Sequence, residues 1–284
     1  MGLYSDILLA VDYDRTLTAP DSTIPERNLE AIRYFMENGG AFALNTGRSV
    51  PMASSILGKI PANAPFLLYN GSAAYDRDRR ELRQCRLIEL DPEAVIRDML
   101  DKFPDLTVEV QGTEFHYIFR KNPGWVAYID YYQCPWAYGD RLRIPRPFLK
   151  FTLYGEFRDK TVADMYRASP EEKARMDEAM DYIARTYGDA VDVFRACARI
   201  VDVHAKGVSK IRAARDLQKD LGRAVLVCVG DGENDLPMLE GADYAYCPAD
   251  GVVADRFENV CECAEGAVAH VIYEKLPEIL GIRP

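Results

Sequence analysis

The sequence predicts an α/β protein that is built on a parallel sheet and carries a second, inserted α/β domain. Three observations predict this class. Short apolar runs alternate with helical patterns in the first third of the chain. Between residues 87 and 190 the pattern changes to strand-like runs, two helical segments and a stretch rich in aromatic residues. After residue 191 the alternation of the first third resumes. A chain of 284 residues, 48% of them hydrophobic, is long enough for a core domain and a smaller insert.

The first predicted core segment, residues 1–86, alternates strands and helices. The apolar runs ILLAV, AFALN and FLLYN are separated by a helix from Pro25 to Asn38 and by a short segment from Val50 to Leu57. Pro25 suits the first turn of a helix, and Gly39-Gly40 provides its end. This βαβαβ order predicts a parallel sheet.

The predicted insert, residues 87–190, contains the strand-like runs LTVEV, FHYIF and FLKFTLYG, with helices near Asp91–Phe103 and Pro170–Tyr187. Its stretch WVAYIDYYQCPWAY is rich in aromatic residues. Packing in the insert's own core, or a dimer contact, is the favoured interpretation for most of them. The alternative is contact with a ligand, and the candidates for that role are Trp125, Tyr128, Tyr132 and Trp136.

The second predicted core segment, residues 191–284, again alternates strands and helices, as the first segment does. It contains the strand ARIVDVH, a helix from Ser209 to Leu221, the buried run AVLVCVG, a short helix after Asn234, the run DYAYC and a last helix that ends near Leu280. A core split by an insert explains this order better than two sequential domains.

Charge and composition exclude several classes of function. A net charge of −10 provides no positive field for nucleic acid or an anionic membrane, so we expect neither partner. Seven cysteines without a CxxC pair argue against a disulfide framework and a zinc site. No basic leader or membrane-spanning run is visible, so we expect a cytoplasmic protein, either a monomer or a homodimer.

Polar residues follow three of the predicted strands. Asp12 and Asp14 come after ILLAV, Thr46 after AFALN, and Asp231 after AVLVCVG. Ligands of parallel sheets bind at the carboxyl ends of the strands, where these residues should lie together. Burial of a carboxylate is costly without a partner, and a cation would compensate for it.

An oxygen-rich set of acids at this edge suits Mg²⁺, and its members are Asp12, Asp14, Asp231 and Asp235. The loop amides of TGRS, the Thr46 hydroxyl and a lysine add donors. A transferring phosphoryl group needs this mixture, because its transition state spreads negative charge over several oxygens. Lys206 and Lys210 compete for the lysine role on proximity alone. The alternative interpretation of GDGEND, a tight turn that caps the next helix, would prevail if that motif stood alone.

Four ordered motifs, DYDRT, LNTGRS, GVSK and GDGENDLPML, resemble those of the haloacid dehalogenase superfamily, in particular its Cof-type and sucrose-phosphatase-like phosphatases. The resemblance spans nearly the whole chain. It implies a Rossmann-like core with an α/β cap inserted between the second and third motifs. It also implies a Mg²⁺-dependent phosphatase that hydrolyses a small phosphorylated metabolite, with a sugar phosphate as the expected substrate, through an aspartyl-phosphate.

The resemblance also assigns roles to residues. Asp12 matches the nucleophile, and Asp14 matches the general acid and base, with its backbone carbonyl on the metal. Asp12 and Asp231 would supply side-chain ligands to Mg²⁺, with Asp235 at or beside the ion. The residues expected to hold the phosphate are Thr46, Gly47, Lys210 and Asn234; the GVSK spacing selects Lys210 over Lys206.

One position departs from the family pattern, because Arg15 stands where the family usually has glycine. Its side chain could crowd the turn or require a backbone angle that glycine reaches more easily. We expect it instead to point outward without consequence. Two alternative functions stay open: a hexose phosphomutase of the same superfamily, and a catalytically silent binding protein with the same fold.

Overall fold

The computed structural model describes residues 2–157 and 167–282; residues 158–166 of the predicted insert lie outside the described residues. The described chain divides into two compact units. The first unit contains residues 2–47, 58–84 and 209–282, and the second contains residues 48–57, 85–157 and 167–208. The chain therefore crosses between the units at Gly47, at Leu57, at Gln84 and at Val208.

The strands, in chain order, are β1 (Ile7–Val11), β2 (Ala41–Leu44), β3 (Phe66–Leu68), β4 (Ala73–Asp76), β5 (Glu81–Arg83), β6 (Thr107–Gln111), β7 (His116–Ile118), β8 (Trp136–Tyr138), β9 (Lys150–Tyr154), β10 (Val191–Cys197), β11 (Ile200–Ala205), β12 (Val225–Val229), β13 (Tyr244–Pro248) and β14 (Glu258–Val260).

The α-helices are α1 (Glu26–Glu37), α2 (Val50–Leu57), α3 (Pro92–Lys102), α4 (Pro123–Tyr131), α5 (Pro170–Tyr187), α6 (Lys210–Asp220), α7 (Leu236–Glu240), α8 (Ala267–His270) and α9 (Leu276–Ile279). Local sequence explains where several of them begin. Ser169 and Glu172 form a capping box at the start of α5, and the Ser209 hydroxyl accepts the Arg212 N–H at the start of α6. Among these helices, none is both long enough and apolar enough to cross a membrane.

The first unit is built on a five-stranded parallel sheet in the order β14-β13-β12-β1-β2. Strand β1 pairs with β12 on one side and with β2 on the other, so the carboxyl ends of these three strands are neighbours. Apolar side chains from these strands and from α6 and α7 form one buried cluster. The predicted α/β class with a parallel sheet is confirmed.

The run FLLYN forms β3, which differs from its predicted place in the parallel sheet. Strand β3 pairs with β4 in antiparallel fashion, and β4 pairs with β5, which makes a separate three-stranded sheet. A single parallel bridge between Asn45 and Leu67 links β3 to the end of β2.

The second unit is built on a six-stranded sheet in the order β10-β11-β9-β6-β7-β8. Its pairings are antiparallel except for the parallel pair of β7 and β8. Helices α3 and α5 bury apolar side chains in the cluster that also contains the inner side chains of β6 and β9.

Two segments that the sequence analysis placed in the core domain belong to the second unit instead. The run ARIVDVH contributes β11, which pairs with β9 and β10 rather than with the parallel sheet. Residues 48–57, which include α2, also belong to this unit. Sheet membership is decided by the partner strand, and the local apolar pattern of ARIVDVH would suit either sheet.

Candidate active site

The carboxyl ends of β1 and β12 bring two of the predicted acids together. Asp12 directly follows β1, and its backbone N–H donates to the Val229 carbonyl at 2.9 Å. Asp231 follows β12 after one glycine. Both side chains are buried, with Asp12 and Asp231 each 5% exposed. The parallel register of the two strands therefore places both carboxylates at one edge of the sheet.

Lys210 lies at the first position of α6 and reaches the acids from the third motif. Its Nζ donates to Asp12 Oδ1 at 2.5 Å and to Asp235 Oδ1 at 2.6 Å, and its side chain is only 1% exposed. The Asn45 amide donates to the Lys210 carbonyl at 2.9 Å, which fixes the start of the helix. The alternative lysine, Lys206, pairs with Asp192 in the second unit at 2.8 Å.

Asp235 is held by hydrogen bonds on both of its carboxylate oxygens. Oδ1 accepts from Lys210, and Oδ2 accepts the backbone N–H groups of Asp231 and Gly232 at 3.0 Å each. Gly230 makes this arrangement possible, because a Cβ there would lie 2.7 Å from Asp235 Cβ. The loop GDGEND thus wraps around the Asp235 carboxylate.

The cluster contains more acids than a single lysine can neutralise, and burial raises the pKa of two of them. Burial raises the pKa of Asp12 from 3.8 to about 7, with Lys210 opposing the shift and Asp235 and Asp14 adding to it. Burial also raises the pKa of Asp231 well above its usual value, helped by the negative charges of Asp235 and Asp12. Close carboxylates raise the pKa of one another because two negative charges at short range are unfavourable. A single ammonium does not neutralise these acids.

The same geometry fits a divalent cation. One oxygen from each of Asp12, Asp231 and Asp235 lies within 4.8 Å of the others, and all three side chains are buried. Carboxylate oxygens are the donors that Mg²⁺ prefers, and the excess buried negative charge would be neutralised by a dication. Asp14, whose predicted metal contact is its backbone carbonyl, is half-buried in the turn after Asp12.

The turn after β1 holds two residues whose contacts the sequence did not reveal. The Thr16 hydroxyl donates to Asp231 Oδ1 at 3.1 Å, so the last residue of DYDRT positions a side chain of the fourth motif. Arg15 has φ +59°, in the left-handed region, and its Nε lies 3.8 Å from Asp231 Oδ2. The expectation that Arg15 points outward without consequence is therefore wrong.

Apart from Lys210, which begins α6, the predicted phosphate-binding residues lie in two loops of the first unit. The Thr46 N–H donates to the Leu67 carbonyl at 2.9 Å, and the Thr46 carbonyl accepts from the Asn70 N–H at 3.0 Å. A Cβ on Gly47 would lie 2.8 Å from Asn70 Oδ1, so glycine allows this close approach. Asn234 is half-buried in the GDGEND loop. Asn70, two residues after β3, thus contacts the Thr46 loop through both its backbone and its side chain, a role that the sequence did not reveal.

The four aromatic candidates for substrate specificity lie in the second unit. The Trp125 ring is 3% exposed and stacks on Tyr154 with centroids 4.2 Å apart. Tyr132 is 6% exposed, and the Arg48 guanidinium lies 4.0 Å from its ring centroid. These contacts favour the structural interpretation for Trp125 and Tyr132. Tyr128 and Trp136 are half-buried, and their role in substrate choice stays a prediction.

A fully buried carboxylate, Glu109, organises this part of the second unit. It accepts hydrogen bonds from His116 Nδ1 at 3.0 Å, Trp125 Nε1 at 3.0 Å, Tyr154 Oη at 2.6 Å and Gln111 Nε2 at 3.1 Å. His116 Nε2 in turn lies 2.5 Å from Ser49 Oγ. Although burial raises the pKa of Glu109, the His116 partner and these hydrogen bonds lower it below its usual value.

Comparison with known proteins identifies the family that this chain matches. The sequence model of the haloacid dehalogenase-like hydrolases matches residues 9–254. An uncharacterized hydrolase of Schizosaccharomyces pombe is 24% identical to this chain, over 93% of this chain and 89% of its own length. A 5-amino-6-(5-phospho-D-ribitylamino)uracil phosphatase of Bacillus subtilis is 23% identical, over 87% of this chain and 88% of its own length.

The fold has close counterparts among solved structures. The structure of a sugar phosphatase of subclass IIB of the same superfamily superposes with a TM-score of 0.71. The match covers 97% of this chain and 99% of the other, at 16% sequence identity. At this level of identity, the likeness establishes the fold and leaves the substrate to other arguments.

Proposed function

Since the chain belongs to the haloacid dehalogenase-like hydrolases, we propose that it is a Mg²⁺-dependent phosphatase that hydrolyses a small phosphorylated metabolite through an aspartyl-phosphate. The membership confirms the resemblance predicted from the four motifs. One observation carries the proposal: Lys210 Nζ joins Asp12 and Asp235 at the strand ends, beside the buried Asp231.

The proposed binding mode follows from the charges in the site. Asp12 and Asp231, with the backbone carbonyl of Asp14, would hold Mg²⁺, which when bound neutralises phosphate charge and lowers the energy of the phosphoryl transition state. Asp235 acts as a positioning residue, because both of its oxygens already accept hydrogen bonds. Lys210, the Thr46 hydroxyl, the Gly47 amide and Asn234 bind the phosphate oxygens.

In the first chemical step, a carboxylate oxygen of Asp12 attacks phosphorus, and the bond between phosphorus and the leaving oxygen breaks. Lys210 holds Asp12 Oδ1 and therefore orients the side chain, so we assign the attack to Oδ2. Asp14 donates its proton to the leaving oxygen, which departs as a neutral alcohol. The products are an aspartyl-phosphate at Asp12 and an Asp14 carboxylate.

In the second step, the Asp14 carboxylate takes a proton from water as the water oxygen attacks phosphorus. The bond between phosphorus and the Asp12 oxygen breaks, inorganic phosphate leaves, and both aspartates return to their starting states. One residue thus serves as acid in the first step and as base in the second.

For the substrate we propose a sugar phosphate or a related phosphorylated compound. The Bacillus subtilis relative is named for a phosphorylated ribityl compound, and the structural neighbour is a sugar phosphatase. The second unit would act as a cap that supplies specificity, with Tyr128 and Trp136 as the remaining aromatic candidates. A cytoplasmic location and a monomeric or homodimeric state stay predictions.

The test is a screen of phosphorylated metabolites and one aryl phosphate, with Mg²⁺ and with EDTA, in which released phosphate is measured. We expect Mg²⁺-dependent release that Asp12→Asn abolishes while its melting temperature stays close to that of the unmodified protein. Glu233→Gln is the matched control, because Glu233 is an exposed acid in the same loop as Asp231. This control should retain activity.

Other outcomes of the screen identify the alternatives. Formation of a hexose 6-phosphate from a hexose 1-phosphate, without release of phosphate, would indicate a mutase. Absence of turnover on every compound, with Mg²⁺ binding intact, would indicate a silent binding protein. Activity that survives Asp12→Asn would refute the assignment of the nucleophile.

A further inference from the structure

Arg15 brings a permanent positive charge to the acidic cluster. Its Nε lies 3.8 Å from Asp231 Oδ2, while its Nη2 lies 3.8 Å from Asp250 Oδ2 and 3.5 Å from the Asp250 carbonyl oxygen. The side chain is 29% exposed and that of Asp231 only 8%, so a partly exposed guanidinium lies beside a buried carboxylate. Arginine stays protonated at every physiological pH.

The backbone at Arg15 adopts a conformation that favours glycine. Its φ is +59°, and its N–H donates to Thr18 Oγ1 at 3.1 Å, which holds the tight turn between Asp14 and Thr16. An arginine in this conformation is less favourable than glycine, so the turn itself gives no reason for the side chain. The contacts of the guanidinium with Asp231 and Asp250 are what distinguish arginine from glycine here.

We propose that Arg15 sets the Mg²⁺ affinity of the site by competing electrostatically for the Asp231 carboxylate. This inference rests on the proposed function, because it takes Asp231 as a metal ligand. A cation held by Asp12 and Asp231 would share the Asp231 carboxylate with the Arg15 guanidinium, and the two positive charges would repel each other. The guanidinium also neutralises part of the Asp231 charge that would attract the ion. Both effects weaken Mg²⁺ binding.

The size of the effect of Arg15 on Mg²⁺ binding follows from Coulomb's law. Charges separated by 4 to 8 Å at a partly exposed site interact by an energy that corresponds to about tenfold or more in an equilibrium constant. Removal of the Arg15 charge should therefore tighten Mg²⁺ binding on the order of tenfold. The effect should shrink at high salt, because mobile ions screen a charge that is partly exposed.

The test is a titration of the substrate-free protein with MgCl₂ by isothermal calorimetry, on the unmodified chain and on Arg15→Gly, Arg15→Gln and Arg33→Gln. Arg15→Gly tests charge and backbone together, and Arg15→Gln removes the charge but keeps a side chain. Arg33→Gln is the matched control: it makes the same change in net charge on α1, where Arg33 pairs with Glu26. Melting temperatures in EDTA report whether each variant folds.

We expect tighter binding in both Arg15 variants and unchanged binding in the control. Tighter binding in Arg15→Gly with none in Arg15→Gln would assign the effect to the backbone and overturn the electrostatic inference. Equal affinities in all four proteins would overturn it as well. Failure of every protein to bind Mg²⁺ would refute the proposed metal site itself, which separates that failure from the failure of this inference.

Discussion

Acidification should weaken Mg²⁺ binding at the proposed site, because Asp12 must release a proton before it can bind a cation. Its pKa is raised from 3.8 to about 7, first by burial and then by the nearby acids, against the opposing charge of Lys210. Metal ligands bind in their deprotonated form, so protons and Mg²⁺ compete for the same carboxylate. Asp231, whose pKa is also raised by burial, adds to the competition.

The direction in which stability changes with pH follows from the raised pKa of Asp12. An acid with a raised pKa in the folded protein keeps a proton that the unfolded chain has already released. The metal-free protein should therefore lose stability as the pH rises from about 4 to about 7, the two limits set by the pKa of Asp12. Over the same range, the carboxylate that Mg²⁺ needs becomes available, so the stabilisation by Mg²⁺ should increase with pH.

The expected change in Mg²⁺ affinity between two pH values follows from the ionised fraction of Asp12. With a pKa of about 7, roughly 3% of the carboxyl groups are ionised at about pH 5.5 and roughly 90% at about pH 8. The apparent dissociation constant for Mg²⁺ should therefore be on the order of 30-fold larger at the lower pH, or about 2 kcal/mol. Protonation of Asp231 would increase this difference.

The assay is calorimetric titration with MgCl₂ at both pH values, with the melting temperature in EDTA as the measure of folding. Glu233→Gln, an exposed acid in the same loop, should show the same pH dependence as the unmodified protein. A dissociation constant that changes less than about threefold between the two pH values would refute a raised pKa at a metal ligand.

Three further predictions concern other residues. Asp14→Asn should reduce turnover of alkyl phosphates by about 10²–10⁴-fold and that of aryl phosphates less, since aryl groups leave without a proton. If both classes lose the same factor while phosphorylation of the enzyme limits the rate, the role of Asp14 as the acid would be contradicted. Glu109→Ala should lower the free energy of unfolding, measured in urea, by about 3–5 kcal/mol, because four buried donors each lose a hydrogen bond to its carboxylate. The exposed control Glu114→Ala should change it little. Alanine at Tyr128 or Trp136 should change the profile of natural substrates and spare a small aryl phosphate, and unchanged profiles would return both residues to the structural interpretation.

Much of the candidate site could be predicted because parallel sheets bring strand ends together. Asp12 and Asp231 are more than 200 residues apart in the chain, yet β1 and β12 are neighbours in the sheet. The ordered motifs fixed which acids and which lysine to consider, and Lys210 contacts Asp12 while Lys206 pairs elsewhere. Such arguments need only the direction of the strands and the order of the motifs.

The limits of the two units could not be read from local patterns. The strands β10 and β11 have alternating apolar residues that suit either sheet, and only the pairing of β11 with β9 and β10 decides their place. Residues 48–57 fall within the predicted core segment 1–86, but they belong to the second unit, where the Ser49 hydroxyl contacts His116. Long-range pairing of this kind leaves no periodic signal in the sequence.

Glu109 and Arg15 escaped prediction for a different reason. An isolated acid in the strand LTVEV has the sequence signature of an exposed residue, and only the structure reveals the four donors that surround it. Arg15 lies inside a recognised motif, but its departure from glycine has no consequence until the guanidinium is seen beside Asp231. The acidic partners of Arg15 lie more than 200 residues away in the chain, and two of the four donors to Glu109, Trp125 and Tyr154, lie 16 and 45 residues away.

The charge balance of the cluster around Lys210 argues for a role beyond stability. Burial of charged groups is costly, and a buried ion pair is often no more stabilising than apolar side chains of the same size. A purely structural pair would at least be balanced, whereas the three acids Asp12, Asp231 and Asp235 outnumber their two cationic neighbours, Lys210 and Arg15. Burial, to which the nearby acids add, raises the pKa of Asp12 to about 7 against the opposing charge of Lys210. This excess of buried acids at the carboxyl ends of the central strands supports the proposal that a cation binds there, where a cation held by carboxylates beside a lysine would attract a phosphate.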